Sequence, residues 1–236
     1  MKSFKTVMAI LLTTILVVSV CACSSKQPTK PTSTTSTTST KTTSSEIKTT
    51  TSKTEESEWD WSWQEDKTIV ITKYNGTASK VTVPSKINGT AVTALGSWTF
   101  RENKELKEVI IPDSITILKQ NLFMNCSNLE KVTLPKKVTE FGDQLFDGCS
   151  SIKRIVVPEG VTKLEYREFA RCTSLEEIVL PAIDEIGEAV FSQCSQIKKV
   201  YYRGTEAQWS NIKRSKNGTP EANHAEYEHI CNYTGN

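Results

Sequence analysis

The feature that most restricts this chain is a repeat. From Leu106 to Tyr202 one phrase returns every 23 residues, with a single step of 22 in the last copy. Phe123, Phe146, Phe169 and Phe191 mark the period, each followed three residues later by Cys126, Cys149, Cys172 or Cys194. Pro112, Pro135, Pro158 and Pro181 keep the same time. A unit this short cannot bury its own apolar side chains, so a fixed period of this length specifies stacked coils sharing one interior.

The strand position of each copy reads Leu106-x-x-Val109-x-Ile111, Leu129-x-x-Val132-x-Leu134, Ile152-x-x-Ile155-x-Val157 and Leu175-x-x-Ile178-x-Leu180, with a closing Ile197-x-x-Val200-x-Tyr202. Alternation of this kind predicts a short strand with one face inward, and stacked copies predict a parallel sheet advancing about 4.8 Å per repeat. After each Pro a second short apolar segment follows, such as Ile115 with Leu118 or Val161 with Leu164. The Phe then plugs the far side, and the chain returns through the Cys.

The phrase F-x-x-C-x-x-L-x-x-V-x-L-P-x-x-V-T-x-[LF]-G resembles the BspA-like class of bacterial leucine-rich repeats. Its clearest copy is Phe123, Cys126, Leu129, Val132, Leu134, Pro135, Val138, Thr139, Phe141 and Gly142. The ending Tyr201-Tyr202-Arg203-Gly204-Thr205 with Trp209 is similar to that class's last repeat. The resemblance implies a repeat solenoid: a right-handed leucine-rich-repeat coil with a parallel β-sheet face, mainly β with short helical turns. It also implies surface-exposed, secreted or lipid-anchored proteins that adhere to proteins, matrix or cells. One departure is the residue before each Phe, often Ala in the class and here Thr99, Leu122, Leu145, Glu168 and Val190.

Outside the repeats the chain changes character. Lys2, Lys5 and the apolar run Thr6 to Val20 predict an export signal over residues 1–22, because the run is too short for a comfortable membrane span. Val20-Cys21-Ala22-Cys23-Ser24 resembles a bacterial lipobox, with Cys23 the better acylation site and Cys21 the other candidate; acylation would tether the protein to a membrane facing outward. Residues 24–57 hold 22 Ser or Thr. So polar a segment cannot repay its ordering entropy, which predicts a disordered stalk over residues 23–57. Residues 58–105 read as an N-terminal β cap and a divergent first repeat, 106–203 as the repeats, and 204–236 as a C-terminal cap and tail. Thr205 and Gln208 have the spacing of a capping box, placing Trp209 and Ile212 over the end of the core.

Charge excludes one class of partner. The whole chain carries a formal +2, but seven lysines and three glutamates precede residue 58, leaving 22 basic against 24 acidic residues in the part that folds. Such a surface gives no reason to expect nucleic acid. Catalysis has no visible seat either, with no nucleophile elbow, phosphate loop or paired carboxylates in a cleft. His224 and His229, near Glu226, Glu228 and Cys231, match no standard zinc spacing, so neither metal nor cofactor is expected. The four repeat cysteines are expected as a buried, reduced column, since side chains in a ladder point the same way.

The surface best suited to binding is the outward face of the parallel sheet. Its central column is Ile110, Thr133, Val156, Val179 and Tyr201, beside a charged column of Glu108, Lys131, Arg154, Glu177 and Lys199. A rigid apolar stripe flanked by charges suits a protein partner. A rival is a sugar platform made by Trp59, Trp61 and Trp63, whose alternation places all three rings on one face of a strand; the same rings also suit a lid over the terminal hydrophobic surface. The expected function is non-catalytic adhesion or capture of a protein or glycan, with a purely structural envelope role as a further alternative.

Overall fold

A computed structural model describes residues 58–215 and 227–235. The export segment, Cys23 and the Ser/Thr stalk lie outside the described residues, as does His224. In chain order the strands are β1 (Trp59–Trp63), β2 (Ile69–Tyr74), β3 (Lys80–Thr82), β4 (Lys86–Ile87), β5 (Thr90–Leu95), β6 (Glu108–Ile110), β7 (Ile117–Leu118) and β8 (Lys131–Thr133). They continue as β9 (Glu140–Phe141), β10 (Arg154–Val156), β11 (Lys163–Leu164), β12 (Glu177–Leu180), β13 (Glu185–Ile186), β14 (Lys199–Tyr202), β15 (Lys213–Arg214) and β16 (Glu228–Ile230). A short helix, α1 (Glu206–Asn211), lies between β14 and β15.

Each coil contributes to two parallel ladders. One runs β3-β6-β8 and then β10-β12-β14-β16; the other runs β2-β5-β7-β9 and then β11-β13-β15. Register follows the repeat: Val109 faces Val132, and Ile178 faces both Ile155 and Val200. The fold is therefore the mainly β, leucine-rich-repeat solenoid that the period specifies. Its far sides are turns rather than helices, and α1 is the one helix among the described residues.

The far side is held by a column of rings. Phe100, Phe123, Phe146, Phe169 and Phe191 stack with centroids 5.0, 5.4, 5.6 and 5.7 Å apart and planes within 13° of parallel. Beside them each repeat thiol donates to the carbonyl of the previous coil's Phe: Cys126 to Phe100 at 2.9 Å, Cys149 to Phe123 at 3.1 Å, Cys172 to Phe146 at 3.2 Å and Cys194 to Phe169 at 2.9 Å. This is why the position takes Cys: it must be small and apolar yet supply one weak donor to a buried carbonyl. All four are free thiols, and burial pushes Cys126 and Cys194 up to about 12.

The ends are sealed differently. At the entry, Trp59 packs on Tyr74 at 4.7 Å and edge-on to Phe100 at 5.9 Å, so it closes the ring column. At the exit the capping box forms as its spacing predicts: Gln208 N–H donates to Thr205 Oγ1 at 3.2 Å, and Thr205 N–H donates to Gln208 Oε1 at 2.8 Å. Helix α1 then lays Trp209 against Tyr202 at 5.2 Å, and Ile212 is buried beside it.

Candidate functional site

The outward sheet face carries the expected columns in the expected register. Glu108 faces Lys131, Arg154 faces Glu177, and Glu177 faces Lys199. Beside them Ile110 faces Thr133, and Val179 faces both Val156 and Tyr201.

Two members of the stripe are not available for contact. Val179 has no exposed surface, and Tyr201 is half-buried. Val179 lies between Val156 and Tyr201 in the sheet, and Tyr201 is covered by the C-terminal tail, whose fold nothing in the repeat phrase encodes. Strand β16 adds to β14, pairing Lys199 with Glu228 and Val200 with His229. The tail then runs back along the sheet: Tyr233 N–H donates to Tyr202 O at 3.0 Å, its ring packs on Tyr201 at 4.5 Å, and Arg203 donates to Gly235 O at 3.2 Å.

The tryptophan platform is also corrected. A register shift between Asp60 and Trp61 breaks the alternation of β1, and Trp59 turns into the core at 6% exposure. Trp61 and Trp63 remain together, but edge-to-face at 84°, with Trp63 60% exposed. Three coplanar rings are not offered to a sugar.

What stays open on the sheet face is its middle: Lys131, Thr133, Arg154 and Val156. Here the two ladders stop. Among the described residues no strand pairing joins β8 to β10 or β9 to β11, while every other step of the repeat coils is paired in both. Val132 and Leu134, at inward positions, are consequently half-exposed, whereas Val109, Ile155 and Ile178 are buried. A groove of about 1470 Å³ lies over this step, lined by β8, β10 and the tail residues Tyr233 and Thr234.

The charged column explains where the ladder fails. Opposite signs meet at each paired step: Glu108 bridges Lys80 at 3.0 Å and Lys131 at 3.5 Å, Arg154 bridges Glu177 at 3.2 Å, and Lys199 approaches Glu228 at 4.0 Å. The Lys131–Arg154 step alone sets like charges opposite each other, which destabilises strand pairing. Each is drawn to its other neighbour.

On the far side the same step is clamped. Asp147, 1% exposed, accepts from Arg171 Nε at 2.7 Å and from Arg167 Nε at 3.0 Å, while Arg171 also reaches Asn125 Oδ1 at 3.0 Å. Burial opposes its ionisation, but the hydrogen bonds from Arg171 and then Arg167 prevail and hold the carboxyl below its ordinary value. Phe146 N–H donates to Glu168 O at 3.0 Å, and Gly148 N–H to Ala170 O at 2.8 Å. The coils are thus joined behind, while in front the β8–β10 strands are unpaired and a single parallel bridge, Lys137 to Glu159, holds the step, with Val138 N–H donating to Glu159 O at 3.1 Å and Glu159 N–H to Lys136 O at 3.0 Å. Sequence reasoning missed Asp147, because it replaces Met124 and Ala170 of the neighbouring coils and belongs to no repeated column.

Glu168 is a second departure from the repeat. It is fully buried, and neither carboxyl oxygen has a hydrogen-bond partner among the described residues. Burial drives it well above the ordinary carboxylate range, outweighing the nearby Leu145 backbone, and so favours its neutral form. Thr99, at the same place one end of the stack, instead satisfies its hydroxyl on Gly96 O at 2.8 Å. A group with a raised folded-state value contributes fully below about pH 4.5 and costs stability as pH rises through and beyond it. Glu168→Leu, the residue carried at Leu122 and Leu145, is expected to stabilise by about 1–3 kcal/mol at neutral pH. The gain should shrink at pH 4, as urea unfolding at the two values will show.

At the exit, Glu206, His229 and Cys231 bring one ligand-type atom each within 4.8 Å of one another. His229 Nε2 lies 3.2 Å from Glu206 Oε1, and its ring stacks on Trp209 at 5.5 Å. Glu206 holds β16 against α1 in this arrangement, a partner that the His/Glu/Cys spacing of the tail does not reveal.

A stack of short coils with a ring column behind and a strand face in front defines a leucine-rich-repeat solenoid. The chain belongs to the BspA type leucine rich repeat family, which matches residues 74–205 in six copies. Among solved structures it is similar to a T. pallidum leucine rich repeat protein, at 29% identity and a TM-score of 0.59, over 61% of this chain and 69% of that one. It is also similar to a leucine rich cell surface protein of Faecalibacterium prausnitzii, at 26% identity and a TM-score of 0.60, over 67% of this chain but only 41% of that one. No curated protein matches the chain.

Proposed function

We propose that this protein is a non-catalytic, lipid-anchored surface receptor that captures a protein partner on the open middle of its sheet face. The observation that carries this reading is the groove between β8 and β10, where Lys131, Thr133, Arg154 and Val156 stand on a rigid scaffold with half-exposed Val132 and Leu134. A cleft with an apolar floor and a charged rim has the anatomy of a protein-binding surface. The bacterial cell-surface relative supports an exported setting. Non-catalytic action is supported by the state of the reactive groups: the repeat thiols are buried, Asp147 is committed to two arginines, and Glu168 has no access to solvent.

The test is an array of host, matrix and bacterial proteins together with glycans, probed with the purified chain. Protein ligands that lose binding in Val156→Asp, and keep it in Trp63→Ala, are the expected result. Binding confined to glycans and lost in Trp63→Ala overturns it. The anchor is tested separately, since acyl label that persists in Cys23→Ala excludes Cys23.

A further inference from the structure

The open step is not a passive gap. The column reads negative at Glu108, positive at Lys131, positive at Arg154 and negative at Glu177, so one negative member is missing between the two cations. The groove as a whole is lined by six basic residues against two acidic ones, Glu130 and Glu159. Lys131 and Arg154 each pair with a carboxylate on the side away from the step, Glu108 and Glu177, while Arg203 pairs with Glu159 and Lys136 with Asp113, so the two cations meet at the step with their own carboxylates turned outward. This basic focus sits on a folded part whose acidic residues outnumber its basic ones.

We propose that the opening binds an extended, acidic peptide segment of the partner, one carboxylate of which takes the missing place between Lys131 and Arg154. This rests on the functional reading above and names the chemistry of its ligand. Strands β8 and β10 remain neighbours, so the peptide lies across the mouth of the wedge rather than adding a strand between them. Its carboxylate restores opposite-sign contacts on both sides of the fault. Its apolar side chains cover Val132 and Leu134, the two inward residues that the open ladder leaves half-exposed. Further carboxylates face Lys137 and Lys153 at the rim, where attraction accelerates encounter and weakens with salt.

The experiment is fluorescence polarisation with the whole purified chain in detergent and a short labelled peptide alternating Glu and Val. Companion peptides carry Gln or Lys in place of Glu. The Glu peptide is expected to bind at least about tenfold tighter than the Gln peptide and to weaken about tenfold between roughly 50 and 300 mM salt. Lys131→Gln and Arg154→Gln should each cost about tenfold, whereas Lys198→Gln, paired with Glu176 in another column, should change nothing. Because each Gln variant removes the like-charge step, its melting temperature is expected to be unchanged or raised, so lost binding cannot be put down to lost folding. Equal binding of the Gln peptide, or equal loss in Lys198→Gln, overturns the proposal. Should no acidic peptide bind while an array protein still loses binding in Val156→Asp, the peptide chemistry fails and the receptor reading stands. If neither binds, both fail.

Discussion

Phe146→Ala is expected to lower the free energy of unfolding by about 3–5 kcal/mol and to split a single transition into two. The size follows from burial and contacts. Phe146 is fully buried and stacks 5.4 Å from Phe123 and 5.6 Å from Phe169. Its amide donates to Glu168 O, and its carbonyl accepts the Cys172 thiol. The shape of the curve follows from position. Stability in a repeat array is a sum of coil terms and nearest-neighbour interfaces, and the whole unfolds together only while each interface holds. At this step the strand ladders are interrupted and only the Lys137–Glu159 bridge remains in front, so the ring column shares the coupling of the two halves with the Asp147 clamp. Phe123→Ala, one coil earlier and flanked by intact ladders, should cost a similar amount yet keep one transition. Urea melts followed by circular dichroism and by tryptophan fluorescence will separate the cases. Coincident transitions in Phe146→Ala would show that the halves are coupled by something other than the rings.

The second large effect concerns the clamp behind the opening. Asp147→Ala is expected to destabilise by about 2–4 kcal/mol, since it strands Arg167 and Arg171 beside a site they were ordered to fill. The upper end is reduced because both arginines keep some exposure. The pH dependence has a definite sign. Asp147 is held below its ordinary value of 3.8, so its contribution is fully present above that value and is lost as pH falls through the lower folded-state one. Wild type should therefore lose stability below about pH 4 more steeply than Asp147→Ala does. Glu168, one coil along, acts in the opposite direction and costs stability as pH rises. Asp147 therefore lowers stability as pH falls and Glu168 lowers it as pH rises, so removing either should flatten its own side of the wild-type profile. An acid limb as steep in Asp147→Ala as in wild type would contradict the assignment of Asp147, and an alkaline limb unchanged in Glu168→Leu that of Glu168.

How much of this is legible in the sequence depends on whether a residue acts through a repeated offset. The inward Val, Ile and Leu, the ring column, the thiols and the capping box all do, and each stands where its spacing puts it. The register of the outward columns is legible for the same reason. The Trp row is legible in part: a lid over the core end is what Trp59 forms, but the register shift at Asp60 and Trp61, which sets the three rings apart, is not written in the alternation. The covering of Tyr201 is not legible, because residues 228–235 share no phrase with the coils they pair with. Asp147 and Glu168 are visible as departures, but only packing reveals that one is clamped and the other stranded. The opening lies between these cases. Lys131 and Arg154 are adjacent members of a column written in the sequence, yet their shared sign acquires meaning only once every other step is seen to alternate.

That alternation has a consequence for how such a surface can change. Reversing Lys131 to an acid removes its quarrel with Arg154 but creates one with Glu108, and reversing Arg154 creates one with Glu177. A single charge reversal therefore shifts the fault by one rung and leaves the count of faults the same, like a domain wall in a chain of alternating spins. Erasing it takes a neutral residue or a run of reversals to the end of the stack. Sequence drift in this solenoid can slide the aperture along its length more readily than it can close it.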